Sequence, residues 1–168
     1  STNDTAMLLA SGRRGPCDLD EFARAVRAAC DDLTMQMARD AEGMTRIARL
    51  TVTGAASDAE AKIAAKNIAE NNLVKCSWYG GDPYWGRLLA AAGSCGVELN
   101  VPRSIVSYGD VKVAEGGVGI PHDGQALAEH MMGEEIAIEV HLGAGSASAR
   151  VIGIDLGPGY IKENSKTS

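Results

Sequence analysis

Hydrophobic positions along the chain follow two periods, and the switch between them marks out the elements. Between Asp18 and Gly43, the residues Phe22, Val26, Ala29, Cys30, Leu33 and Met37 recur at helical spacing. Asp18 with Glu21 three residues later forms a capping box that opens this helix, and Gly43 is a stop signal. Its apolar stripe is expected to face the core. From Arg46 the period shortens to two. Ala48, Leu50 and Val52 alternate with Arg49, Thr51 and Thr53, which predicts a strand with one wet face. Ser57 and Glu60 make a second capping box, for a helix running to about Glu70. Leu73 to Trp78 reads as a short strand, Gly80-Gly81-Asp82-Pro83 as a turn, and Trp85 to Gly93 as an Ala-rich helix.

Beyond residue 100, Ile105–Ser107 and Val111–Val113 are expected to pair across Tyr108-Gly109-Asp110. Gly124 to Met132 reads as a helix. Ile136, Ile138 and Val140 alternate as a strand, Arg150 to Ile154 forms another, and HLGAGSASA between them is a turn. The polar ending GPGYIKENSKTS is expected to fray. Residues 2–11 fit either a short helix capped by Thr2-Asn3-Asp4 or a buried strand. The order of elements predicts a mixed α/β fold. Residues 1–45, which supply helices but few strands, look like part of something larger; residues 46–168 look like a separate α/β domain.

Composition narrows the class. With 168 residues, 45% hydrophobic and 23% charged, the chain reads as globular, and 4% aromatics imply a core of small aliphatics. A net charge of -6 with no basic stripe argues against a nucleic-acid partner. No apolar run has the length to span a bilayer, and the start lacks signal-peptide order. Cys17, Cys30, Cys76 and Cys95 form no C-x-x-C pair, which suits reduced thiols in a cytoplasmic protein. His122, His130 and His141 lack metal-site spacing.

Candidate chemistry is sparse. Asp40 and Glu42 stand at a helix end, where the dipole disfavours carboxylates, so they are either solvated or meet a cationic group. NNLVKCSWYGGDPYWGR (71–87) holds both tryptophans and is either a binding wall or a packed corner. Gly80-Gly81 lacks the Lys-Ser/Thr of a phosphate loop, and no G-x-S-x-G elbow is present. The remaining nucleophile candidates are Ser1 or Thr2, by position at the chain start, and the cysteines.

The blocks STNDTAMLLASG, DAEGMTR, NNLVK with YGGDPYWGR, and DLGPGYIKENSKTS resemble, in order and over the whole chain, the ornithine acetyltransferases, the glutamate N-acetyltransferases of the cyclic arginine pathway. The resemblance implies a precursor that cuts itself into α and β chains, and a β-chain N-terminal threonine as nucleophile. That threonine takes acetyl from N-acetylornithine and passes it to glutamate, a ping-pong reaction without a cofactor. Acetyl-coenzyme A is an alternative acetyl donor. Ser1 is then an internal β-chain residue, with the nucleophilic threonine expected upstream of it and no catalytic residue in this chain. The resemblance also implies an α-chain partner, a dimer of αβ protomers, a cytoplasmic location, and a self-processing α/β sandwich core with a smaller C-terminal α/β domain. Residues 1–45 are expected to be a remnant of that core and 46–168 the smaller domain.

By position, Glu42 matches the family's substrate-contacting glutamate, Asn164 its C-terminal substrate-contacting asparagine, and Ser168 its last hydroxyl residue. Departures are Ala41 for glycine, Tyr84 for asparagine, and a tail, NSKTS, one residue shorter, with Lys166 where relatives carry an aromatic. Two other functions fit the residues: an N-terminal-nucleophile amidase or peptidase with water as acceptor, and a non-catalytic ligand-binding domain.

Overall fold

The computed structural model describes residues 5–165, so Ser1 and Ser168 lie outside the described residues. The chain divides into two compact units, Ser1–Thr34 and Met35–Ser168.

In the first unit, residues 5–18 form neither helix nor strand, so neither form expected near the start is present among the described residues. Helix α1 (Leu19–Arg39), which starts in the first unit and whose last turn belongs to the second, begins where Asp18 caps it, Oδ1 accepting from the N–H groups of Asp20 and Glu21 at 2.9 and 3.0 Å. The expected stripe is present, but it is not core: Phe22, Leu33 and Met37 are 44%, 57% and 59% exposed. Helical periodicity creates an apolar face without supplying the surface that covers it.

The second unit is built on a six-stranded sheet. Its strands are β1 (Ile47–Ala55), β2 (Ile105–Tyr108), β3 (Val111–Glu115), β4 (Val118–Gly119), β5 (Glu135–His141) and β6 (Ala147–Ile154). They lie in the order β4-β3-β2-β5-β1-β6. Among the described residues, only β1 and β5 run parallel, and every other neighbouring pair is antiparallel. Parallel neighbours need a long crossover. Here it carries helices α2 (Asp58–Glu70), α3 (Asn72–Gly80), α4 (Trp85–Gly93) and α5 (Gly124–Met131) together with strands β2 to β4.

The register puts Leu50 opposite Ile138 and Val52 opposite Val140, so one face is continuous and apolar. Helix α2 lies on that face across β1 and β6. It buries Ala61, Ala64, Ala65 and Ile68 completely, and its small residues let it sit close to Leu50 and Val52, also completely buried. The opposite face carries Arg49, Thr51, Glu139 and Arg150, and it joins Glu135 to Arg39 and Arg49 at 2.9 and 2.7 Å.

Two local expectations are corrected. Leu73 to Trp78 lies within helix α3, not a strand. Asn71 accepts from the N–H groups of Leu73 and Val74, and Gly81 closes the helix in the left-handed region at φ 65°. Val74, Ser77 and Trp78, spaced at helical intervals, are its buried residues. The polar ending does not fray as a whole: Pro158–Asn164 is helix α6. Proline at the first turn suits a helix start, because its missing N–H has no intrahelical partner there anyway.

Candidate functional site

The loop after α1 and the helix at the chain's end meet. Beyond Arg39 the backbone turns, and Gly43 adopts φ 68°. A side chain there would collide with the tail, since an added Cβ would lie 2.2 Å from the Tyr160 nitrogen. The two backbones touch at Gly43 and Gly159, which only glycine allows. This approach carries Glu42 to Asn164. The Asn164 Nδ2 donates to Glu42 Oε2 at 2.8 Å and to the Tyr160 carbonyl at 2.9 Å. Both acceptors can only accept, so the amide nitrogen, not its oxygen, faces them.

Two of the three candidate site residues, 122 positions apart in sequence, are therefore in direct contact at an exposed position. The third, Ser168, lies outside the described residues. Asn164 is expected, by resemblance, to contact substrate. Its amide nitrogen is engaged with Glu42 and Tyr160, so an incoming carboxylate would compete with Glu42 for it. Asp40 follows the end of α1 and is exposed.

The same two segments also meet at Asp155, one of three buried polar residues and the one buried carboxylate among the described residues, 3% exposed. Its Oδ1 accepts from the Thr45 N–H at 2.9 Å and its Oδ2 from the Thr45 hydroxyl. Its own N–H donates to the Arg46 carbonyl at 3.1 Å. Arg46 in turn donates to the carbonyls of Met131, Trp78 and Tyr79 at 3.0, 3.1 and 2.5 Å, a cation set against the C-terminal carbonyls of α3 and α5. The sequence reading missed Asp155. Its one signal was an acidic residue directly after a predicted strand.

The block at 71–87 is packed on one side and open on the other, with Tyr79 and Tyr84 40% and 53% exposed. Trp78 is fully buried, Arg87 donates to the Leu73 carbonyl at 2.7 Å, and its guanidinium lies 5.3 Å from the Tyr84 ring centre. Its edge also seats the tail: the Leu156 N–H donates to Lys75, and a Cβ on Gly157 would meet the Tyr79 ring at 2.4 Å. The histidines are separate. His122 bonds to Ile120, His130 to Ala137, and His141 to Thr53 at 3.0 Å. All four cysteines are free. Among the described residues, no helix is long and apolar enough to cross a membrane.

Two open cavities, about 320 and 330 Å3, are lined by the outer sheet face around Arg49, Thr51 and Arg150, and by Met44–Arg46 with Met132–Glu134. Neither is lined by Glu42 or Asn164.

The ArgJ family model matches residues 1–168. The chain belongs to the ArgJ family. It is 45% identical over its whole length to the arginine biosynthesis bifunctional protein ArgJ of Mycolicibacterium paratuberculosis, and 40% identical over 98% of its length to that of Deinococcus radiodurans. It spans 41% and 42% of those two family members. A crystal structure of the arginine biosynthesis bifunctional protein ArgJ from Bacillus halodurans superimposes with a TM-score of 0.91 at 32% identity, covering 99% of this chain and 82% of that one. That solved polypeptide shares the fold described above.

Proposed function

We propose that this chain is the β-chain portion of an acetyltransferase that moves acetyl from N-acetylornithine to glutamate, in the cytoplasm, through an acyl-enzyme. The observation that carries this reading is the unbroken family match over all 168 residues to proteins named for arginine biosynthesis. The nucleophilic threonine and the oxyanion hole are assigned to the remaining length of the protein, including an α chain released from the same precursor by self-cleavage. Supporting this, the chain fills 82% of a solved relative's polypeptide but only 41% of a curated relative's, so the solved polypeptide is about half as long. Residues 1–45 then belong to the nucleophile-bearing core and 46–168 to the smaller domain, and αβ protomers pair.

In this reading Glu42 and Asn164 form one wall of the amino-acid site. The ionised Glu42 carboxylate receives the ammonium of ornithine or glutamate, a charge-assisted bond that strengthens once water is excluded. Asn164 orients that carboxylate through the 2.8 Å bond. Ser168 adds a hydroxyl to the same wall. Neither cavity includes this pair, which fits a site closed by surfaces outside these residues. The chemistry needs no resident cofactor; acetyl-coenzyme A serves as a second acetyl donor, in keeping with the relatives' description as bifunctional.

The test uses the full-length, processed protein with acetyl-labelled N-acetylornithine and glutamate. Labelled acetylglutamate and an acetylated threonine peptide are expected. Release of label only as acetate would assign the site to an amidase instead, and absence of binding to either amino acid would leave a non-catalytic domain. Glu42→Gln is expected to raise KM for the amino acids about tenfold, the loss of one charge-assisted bond.

A further inference from the structure

Helix α6 carries Asn164, yet none of its residues is buried. Apolar packing of the kind that holds α2 to the sheet does not hold α6. What holds it is a series of polar and backbone contacts before and along it. Asp155 grips Thr45, the Leu156 N–H bonds to Lys75, Gly157 lies on Tyr79, and Gly159 touches Gly43. The first of these differs in kind from the rest. A buried carboxylate is tolerated only where donors satisfy it. Both donors to Asp155 come from one residue, Thr45, which stands three positions after Glu42.

We propose that Asp155 is a positioning residue for the Glu42–Asn164 pair, acting through Thr45. The inference rests on the reading of that pair as part of the substrate site. The carboxylate joins the strand that leads into the tail to the segment that leads out of the Glu42 loop. From that joint, the loop runs back three residues to Glu42 and the tail runs on nine residues to Asn164. Arg46 fixes the far side of the same segment against α3 and α5. With the loop held on both sides, the tail has one seat on it, and the two substrate-facing groups come to 2.8 Å. Without the Asp155–Thr45 bonds, the loop and the tail keep the glycine contacts, the Asp155 N–H bond to the Arg46 carbonyl and the exposed Glu42–Asn164 bond itself, none of which is a buried side-chain bond.

The experiment compares Asp155→Ala, Asp155→Asn, Thr45→Val and Thr45→Ser in the full-length, processed protein. Each is assayed for acetyl transfer with glutamate and N-acetylornithine varied in turn, and for hydrogen exchange in the peptide 156–165. Asp155→Ala is expected to raise KM about tenfold with kcat within about threefold, because misplacing a binding group weakens uniform binding. Its 156–165 amides should exchange faster while those of β1 and β5 do not. Asp155→Asn keeps an oxygen for the Thr45 N–H, and the Thr45 hydroxyl can turn to accept from its amide, so it should recover most of the loss. Thr45→Ser should do likewise. Thr45→Val, which loses the hydroxyl alone, should fall between, and it decides the matter if Asp155→Ala does not fold. A merely structural aspartate predicts a different pattern: fewer active molecules, hence lower kcat at unchanged KM, with Asn no better than Ala. That result overturns the proposal while leaving the acetyltransferase reading intact. A wild-type protein that transfers no acetyl group and binds neither amino acid overturns the reading itself, and the positioning role with it.

Discussion

Helices α1 and α2 are both amphipathic and both capped by an oxygen-bearing side chain, Asp18 in one and Ser57 in the other. Yet α2 buries Ala61, Ala64, Ala65 and Ile68, while α1 buries only Ala38. Local signals are of equal quality in the two. The difference is what lies opposite. Helix α2 faces a sheet whose register lines up Leu50, Val52, Ile138 and Val140, and the stripe of α1 is exposed along most of its length. An apolar face predicts that a helix forms and which side seeks cover; it does not say what the cover is.

The sharpest way to break this comparison is a pair of truncations. Trp78→Ala, at a fully buried position, is expected to reduce stability by about 3–5 kcal/mol in urea unfolding of the 168-residue chain. Leu33→Ala, at a position 57% exposed, should change it by no more than about 0.5 kcal/mol. A loss at Leu33 as large as that at Trp78 would show the α1 stripe to be covered. Next in size is Gly43→Ala, expected to destabilise by about 1–3 kcal/mol, since it forces a positive φ and meets the tail backbone. Hydrogen exchange in 156–165 should rise in that variant; unchanged exchange would dissociate the Glu42 loop from α6.

Two smaller effects separate the two faces of the sheet by pH. Burial, and then the nearby charge of Asp82, push the Tyr108 phenol well above its ordinary value, with Arg87 opposing. A raised folded value means stability that is full below the unfolded phenol's titration, near pH ~10, and is lost as pH rises beyond it. Tyr108→Phe should therefore flatten the alkaline fall in the urea midpoint; an equally steep fall would refute the burial of an ionisable phenol. On the outer face, hydrogen bonds from Arg49 and then Arg39 hold Glu135 below its ordinary carboxylate value. That contribution is present above the unfolded carboxylate's titration and disappears as pH falls through the lower folded value. Because the pair is half-exposed, Glu135→Gln should lower stability by less than about 1 kcal/mol at neutral pH and low salt, with the difference vanishing in acid and in salt.

Much of the sheet unit was legible in advance. Alternation identified β1 and β5, the Ser57 cap placed α2, and the Tyr108-Gly109-Asp110 turn paired β2 with β3, because each rests on neighbours in sequence. The reading failed at Leu73 to Trp78, where valine and tryptophan favour a strand but Asn71 and Gly81 cap a helix. There the ends outweighed the propensity of the middle. It failed again at α6, whose exposed polar residues look like an unheld tail because what holds them is 110 residues away in sequence.

The sequence by itself determined the alternating and helical faces, the caps, and the family blocks that single out Glu42 and Asn164. Only the tertiary structure decided that these two meet, that Asn164 gives its amide nitrogen to Glu42, and that a buried aspartate ties their segments together. Periodicity and capping are set within one or two turns of chain. The meeting of residues 42 and 164 depends on where β1 and β6 pair, on the glycines that let two backbones touch, and on a carboxylate whose donors come from a residue 110 positions away in sequence. No short-range pattern carries that information, because hydrogen bonds across such a separation exist only once the sheet has assembled.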